Sequence, residues 1–361
     1  MHASRLTGRL AASVAVTAAV LALTATDAPA QQRIALTAVS GYAPTVTWTR
    51  EFRDFFVPEV DRRLAEAGDF VIDWNEAYSG QIARPGGELS AIQTGLADIG
   101  IVVIPFHTDV IPLYALNFYT PFGTTDVILA SRTLDELAQE FPAFMEQWED
   151  LNQVPLKTFG VVDTYGVVVN RAVRSLSDFE GARIGGSGAN QLWVQGIGAT
   201  GVTANLADAY NDIRSGVMDG MVIHAGGVLN SRLYEVAPYF VDGDLGAVAS
   251  FIVTVNADTW ARLPEPVREV LAEVADLYGD HTAEAGRADN EAGLARIVES
   301  GGEIITISAE DRALWAASVP DIGGQWVADM EAMGFPGAEI MAAFMDRMRA
   351  AGQNIDREWD R

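Results

Sequence analysis

The spacing of apolar positions changes along the chain, and each change predicts an element. Arg33–Val39 and Phe70–Trp74 read as strands, and Ile99–Ile104 is a continuous apolar run of the kind that fills a buried strand. Between the first two, after a Gly-Tyr-Ala-Pro turn at 41–44, Trp48, Phe52, Phe55 and Phe56 fall at helical spacing. They predict a helix from Thr45 to about Ala67. Pro58 should kink or divide it, because proline has no N–H to donate and its ring crowds the preceding turn. A shorter helix near Glu88–Gly95 completes a β-α-β-α-β order, which suggests a doubly wound α/β domain.

The pattern then recurs. Phe159–Val169 reads as one strand segment and Asn190–Ile197 as a helix. Leu206, Tyr210, Ile213 and Val217 place a stripe on another helix with Asn205 as its N-cap, and Met221–Ile223 comes next as a strand. Thr94–Gly100 and Ser215–Met221 share a helix-ending glycine, then Asp, then an apolar strand, once in each half. Phe251–Val255 reads as a strand returning to the first domain. Pro264 and Pro266 open a helix predicted from Glu265 to about Ser300, whose middle, His281–Gly293, is Ala-rich and polar. A helix of that length bridges domains more readily than it sits in one core. In the amphipathic tail Trp315, Trp326, Met330 and Phe344 are the expected core anchors.

The first thirty residues depart from this pattern. Arg5 and Arg9 precede an apolar run, Leu10–Leu23, and Ala28-Pro29-Ala30 is a small-x-small cleavage site, so 1–30 is expected to be an export signal. The rest of the chain is too long for one ordinary core and suits two domains, with no further segment of membrane length. The net charge of −25 argues against nucleic acid and anionic lipid as partners. The chain has no cysteine, which excludes disulfides, zinc–thiolate sites and cysteine nucleophiles. His107, His224 and His281 are far apart, so no metal site is expected. Gly196–Gly201 spells a dinucleotide fingerprint, but it lies between a predicted helix and the next strand, the reverse of the required context, so no cofactor is expected. No Gly-x-Ser-x-Gly elbow or P-loop is present, and no enzyme chemistry is indicated.

One stretch is specific. Asn170-Arg171-Ala172-Val173, Leu176–Ile184, Gly198-Ala199-Thr200 and Ala209–Gly220 resemble the receptors of tripartite ATP-independent periplasmic (TRAP) transporters. Leu233–Ala237, Ser79-Gly80-Gln81-Ile82 and Gly95-Leu96-Ala97-Asp98 extend the likeness over nearly the whole chain after the leader. The resemblance implies an α/β, two-domain periplasmic-binding-protein fold with an interdomain cleft, crossing hinge strands and a long bridging helix. The domains are expected at 31–162 with about 249–285, and at 163–248 with about 286–361. It implies a periplasmic monomer, without cofactor or catalytic residues, that closes on a small molecule and presents it to TRAP membrane permease subunits. A sensory protein presenting its ligand to a kinase would use the same fold.

The departures from the family bear on the ligand. Where the family places arginines on a ligand carboxylate, this chain aligns Gly185 and Tyr165, and a third, polar position falls at Ile223 beside His224. Aromatics stand instead: Tyr42, Trp48, Tyr78, Phe106, Tyr119 and Phe122 on the expected first wall, and Tyr165, Trp193 and His224 across from them. Asp163, two residues from Tyr165, would share its strand face. This set favours a neutral or cationic solute over a C4-dicarboxylate. An aromatic or other organic acid held by the backbone amides of Gly185–Gly188 is the alternative. If the leader is an export signal, intact-mass measurement of periplasmic extract will show a chain beginning at Gln31, and a dominant full-length species in the membrane fraction would refute it.

Overall fold

The computed structural model describes residues 31–361, so the expected leader lies outside the described residues. Two sheets form. The first has the order β2-β1-β3-β10-β4, from Gln32–Val39 (β1), Phe70–Ala77 (β2), Ile99–Val103 (β3), Gln153–Phe159 (β4) and Phe251–Asn256 (β10). β1, β2 and β3 are parallel, and β10 runs antiparallel to both of its neighbours. The second has the order β11-β9-β5-β8-β6-β7, from Gly166–Val169 (β5), Arg183–Gly186 (β6), Thr200–Thr203 (β7), Gly220–Ile223 (β8), Tyr239–Asp242 (β9) and Glu303–Thr306 (β11). Central strands β3, β5, β8 and β10 are buried along their whole length, as expected for strands covered on both faces.

The chain passes between the two lobes where the sequence predicts a single strand. Phe159–Val169 is not one strand: Phe159 ends β4 in the first sheet, 160–165 cross, and Gly166 begins β5 in the second. Three passages lie side by side at the crossing. Phe122 N–H donates to Leu245 O (2.8 Å), Leu245 N–H to Tyr165 O (3.0 Å), Tyr165 N–H to Gly246 O (3.2 Å) and Ala247 N–H to Thr124 O (2.8 Å). Backbone groups that leave a sheet need new partners, and here each of the three passages supplies them to the next. The return strand predicted at Phe251–Val255 is β10, in the first sheet.

The helix predicted over 45–67 is present in three parts: α-helix Thr47–Glu51, a π-helical stretch Phe52–Phe56, and α-helix Val57–Ala67. Val57 N–H reaches back five residues to Phe52 O. Widening the turn there relieves the crowding that the Pro58 ring imposes on the carbonyl side, so the division expected of Pro58 takes the form of a π-bulge. Gly95 (φ 73°) and Gly216 (φ 75°) both adopt the left-handed turn predicted from their shared motif. Residues Gly188–Ile197 wind as a 3₁₀-helix that ends at Gly198 (φ 85°), and Gly196 and Gly201 pack against Ser318 and Gln191 backbone. The fingerprint glycines are packing residues. Asn205 does not cap the Ala209–Ser215 helix through its side chain; it accepts from Asp208 N–H (3.1 Å) in the turn before it.

The long helix is Glu265–Glu299, about 50 Å at 1.5 Å per residue. Its glycines at 279, 286 and 293 repeat every seventh residue and face the core. A Cβ at Gly279 would meet Lys157 and Phe159 at the end of β4, one at Gly286 would overlap the Val161 carbonyl, and one at Gly293 the Ala225 carbonyl. The helix therefore packs closely on side chains of β4 and lies backbone-to-backbone against the crossing and the start of the Ala225–Asn230 helix. Gly286→Ala should gain about 1 kcal/mol in helix propensity yet lose about 1–3 kcal/mol to overpacking. Urea denaturation is expected to show net destabilisation, and a more stable variant would contradict the close approach.

Candidate ligand-binding cleft

Ligands of open α/β sheets sit beyond the carboxyl ends of parallel strands. In this chain four such ends meet across the gap between the lobes. β1 leads to Tyr42 and β3 to Pro105 and Phe106 on the first lobe; β6 leads to Ser187 and β8 to His224 on the second. Trp48, in the first turn of its helix, and Phe251, at the start of β10, complete the first wall, while Tyr165, Asn190 and Leu206 complete the second. The cavity they enclose is about 50 Å³, so the walls have nearly met. Aromatic packing sets its shape. Trp48 lies between Tyr42 (5.0 Å between ring centres, edge-on) and Phe251 (4.6 Å), and Tyr165 stands edge-on to His224 (5.7 Å).

No side chain lining this cavity carries a formal charge. His224 is 2% exposed, and burial pushes its pKa down to about 4 against an opposing effect from Asp289, so it is neutral at pH 7. Its Nδ1 accepts from Gly227 N–H (3.1 Å), capping the Ala225–Asn230 helix, which assigns the ring proton to Nε2. Tyr165 Oη pairs weakly with Ser250 Oγ (3.4 Å). Among the described residues, the indole Nε1 of Trp48 and Oδ1 of Asn190 are buried without a partner.

Of the residues singled out in the sequence, Tyr42, Trp48, Phe106, Tyr165, Ile223 and His224 line the cavity. The others do not. Asp163 sits in the crossing rather than on a strand, and its carboxylate accepts from Arg287 Nε (2.6 Å) and Nη2 (3.0 Å) and from Val127 N–H (3.1 Å). Its charge is already matched by Arg287, away from the cavity. Gly185 faces the opposite side of its sheet: a Cβ there would meet Met218 Sδ at 2.5 Å and Ala204 Cβ at 3.0 Å, so an arginine at this position would not reach the cleft. Trp193 is fully buried behind Tyr165 and donates to Phe118 O (2.8 Å). Tyr119 packs on Trp326, Tyr78 is buried at the end of β2, and Phe122 is buried in the crossing against Trp315. Ser187 belongs to the Gly185–Gly188 loop of the alternative reading, while the sequence pattern does not point to Asn190, Leu206 and Phe251 as site residues. For Asn190 the available signal was a polar side chain just past the Gly-rich end of β6.

A wider vestibule of about 500 Å³ lies outside, between Thr45, Ser79 and Arg84 on one lobe and Tyr210 and Asn230 on the other. Tyr42 and Leu206 line both spaces and separate them. Arg84 is the one charged side chain of the vestibule and makes no ion pair among the described residues. The lobes are tied at this mouth by Asp289 of the long helix. It accepts from Thr47 Oγ1 (2.7 Å) and Asn230 Nδ2 (3.4 Å) and pairs with Arg50 Nη2 (3.1 Å). A more spacious groove, about 810 Å³, lies elsewhere, on the outer side of the first lobe, where Lys157 is held by Asp276 (2.7 Å) and Asp135 (3.0 Å). It is open and flanked by carboxylates, and it shares no lining residue with the cavity between the lobes.

The pattern described as bacterial extracellular solute-binding protein, family 7 (DctP), matches residues 67–323. The chain belongs to this family. The ectoine-binding periplasmic protein TeaA of Halomonas elongata is 23% identical over 303 residues, 81% of this chain and 87% of that protein. The C4-dicarboxylate-binding periplasmic protein DctP of Vibrio cholerae serotype O1 is 23% identical over a stretch covering 38% of this chain and 41% of its own length. Among solved structures, a marine metagenome TRAP solute-binding protein specific for aromatic acid ligands superposes with a TM-score of 0.77 at 19% identity, over 88% of this chain and 99% of that one. The TRAP receptor fold expected from the sequence is thus the fold present, and members of the family are transport binding proteins. No helix of the described residues is long and apolar enough to cross a membrane.

Burial of His224 in this solute-binding protein has a pH consequence. Its folded pKa of about 4 lies below the ordinary 6.5, so between those values the unfolded chain binds a proton that the folded chain refuses. Stability falls as pH drops through that window, by about 3 kcal/mol at about 1.4 kcal/mol per pH unit. Asn at this position keeps an N-cap acceptor without titrating. Compared with the parent protein, His224→Asn should gain about 3 kcal/mol in relative stability between about pH 7.5 and 4.5, measured by urea denaturation at each pH. A difference that does not change with pH would refute the assignment.

Proposed function

We propose that this chain is the periplasmic receptor of a TRAP transporter, that it captures a compact, uncharged organic solute between its lobes, and that it hands the solute unchanged to membrane permease subunits. One observation carries the ligand class: the cavity between the lobes is lined by aromatic, aliphatic and neutral polar side chains and by no charged one. A carboxylate buried there would lose several kcal/mol of hydration with no cation to offset it. A cation would still meet the aromatic faces, but Asp163 is taken by Arg287 and supplies no counter-charge. The cationic half of the sequence-based expectation thereby loses its anchor, and the neutral half keeps its support. Export fits the leader and the family. A receptor role without chemistry fits a cleft whose polar groups comprise no nucleophile–base pair.

A second reading has its own support. The aromatic acids bound by the marine relative suggest an aryl carboxylate, with Arg84 at the mouth as its guide and the cavity donors as its neutral partners.

Calorimetry and small-angle scattering test the proposal together. Succinate and malate should not bind measurably at neutral pH, since truncating one partner of a buried charge pair costs about 2–5 kcal/mol. Any succinate binding should rise only as His224 protonates near pH 4. An uncharged ligand should contract the particle and be recovered unaltered. Micromolar succinate binding at pH 7, or a converted product, would overturn the proposal.

A further inference from the structure

Two polar groups on the cavity stand out because buried polar groups are nearly always paired. Trp48 is 5% exposed and Asn190 3%, yet among the described residues the Trp48 Nε1–H has no acceptor and Oδ1 of Asn190 has no donor. They come from opposite walls, Trp48 from the first lobe and Asn190 from the second. An indole N–H only donates. Neutral His224, with Nδ1 committed to Gly227 N–H, also only donates, through Nε2. A carboxamide both donates and accepts. The cavity thus offers two one-way donors and one two-way group, on aromatic and aliphatic walls.

The ligand that satisfies this set has a strong acceptor with two lone pairs and, beside it, a hydrogen-bond donor, which an amide N–H supplies in a fixed geometry. A ketone or ether supplies the acceptor but leaves the oxygen of Asn190 unpaired. An ammonium ion supplies donors but nothing for Trp48 or His224. A carboxylate brings a charge that no lining residue matches and likewise leaves that oxygen unpaired. Resting on the reading that the cleft takes an uncharged solute, we infer that the solute is a compact amide: a lactam, an N-alkyl amide or a urea. Its carbonyl accepts from Trp48 and His224, its N–H donates to Asn190, and its apolar body lies against Phe106, Leu206 and Phe251. Because Trp48 and Asn190 belong to different lobes, such a ligand satisfies both only in the closed form, so recognition and closure are the same event.

Four probes on one ring frame test this with the chain from Gln31 to Arg361: pyrrolidinone, cyclopentanone, pyrrolidinium and cyclopentanecarboxylate, with caprolactam as a larger lactam. Titration calorimetry should show saturable binding of a lactam, with the three non-amides at least about tenfold weaker, as expected for a site built to read both a donor and an acceptor. Trp48→Phe and Asn190→Leu should each weaken lactam binding about tenfold or more, with unliganded melting temperatures close to the parent's. If Trp48→Phe does not fold, Asn190→Leu decides alone, because it should abolish the preference for pyrrolidinone over cyclopentanone. Equal binding of cyclopentanone and pyrrolidinone, or no binding of either lactam, overturns the amide inference while leaving an uncharged solute tenable. Binding of cyclopentanecarboxylate or pyrrolidinium alone overturns both.

Discussion

Asp289 is the point at which the long helix and both lobes meet. Its carboxylate takes the Thr47 hydroxyl and the Arg50 guanidinium from the first lobe and the Asn230 amide from the second. The side chain is only 16% exposed, so these bonds are weakly screened. Each bond contributes about 0.5–1.5 kcal/mol net, and those to a charged group somewhat more. A few such bonds amount to a few kcal/mol, the scale on which a two-state equilibrium shifts without being locked. The narrow cavity lies behind this hub of bonds, and in the proposed receptor role a modest free energy would suffice to open the latch they form.

The hub works because the helix carrying it has a fixed position. Glycines at 279, 286 and 293 let its backbone touch β4, the crossing and the Ala225–Asn230 helix, and Arg287, one residue after Gly286, pairs with Asp163 in that crossing. The helix is thus fastened to the hinge on the same turn that fastens it to the lobes. This arrangement also sorts the charges. The surface is strongly acidic and arginines such as Arg50 and Arg287 are committed to ion pairs, while the cavity is neutral and Arg84 alone among vestibule side chains is charged. Long-range attraction of a cation by the acidic surface would be screened within about 8–10 Å in salt, and inside the cavity nothing anionic continues it.

The features legible in the sequence are those set by local physics. Helical spacing at Trp48, Phe52 and Phe56, the Pro58 interruption and the paired turns at Gly95 and Gly216 depend on neighbours within a few residues, and each is present. The misreadings are long-range. An apolar run such as Phe159–Val169 looks the same whether it stays in one sheet or crosses to another. Asp163 has its partner 124 residues away on the long helix, so its commitment to Arg287 has no local signature. Gly185 is aligned with the cleft by family resemblance, but the sheet register turns that face toward Met218. The glycine repeat at 279, 286 and 293 lies in a stretch that reads merely as Ala-rich and polar. Several of the cavity aromatics are legible through the family resemblance, whereas Asn190 does not stand out locally, because a polar residue in the first turn of a helix is ordinarily a solvated or capping residue.

The Ala225–Asn230 helix joins the two halves of the mechanism. His224, at its N-cap, faces the cavity, and Asn230, at its end, reaches Asp289 at the mouth. Six residues at 1.5 Å each span about 9 Å, too short a rod to bend between its ends. Its amino end is held a second time by Asn290, whose side-chain oxygen accepts from Ala225 N–H (2.9 Å). The capping bond that commits Nδ1 of His224 also determines which ring nitrogen carries the proton, and therefore that the cavity meets a donor there. A solute that shifts His224 must shift Asn230, and one that leaves His224 in place leaves the latch aligned. In the proposed receptor role, this element would couple ligand contact at His224 to lobe closure at Asp289, and the coupling would require no residue to change its charge.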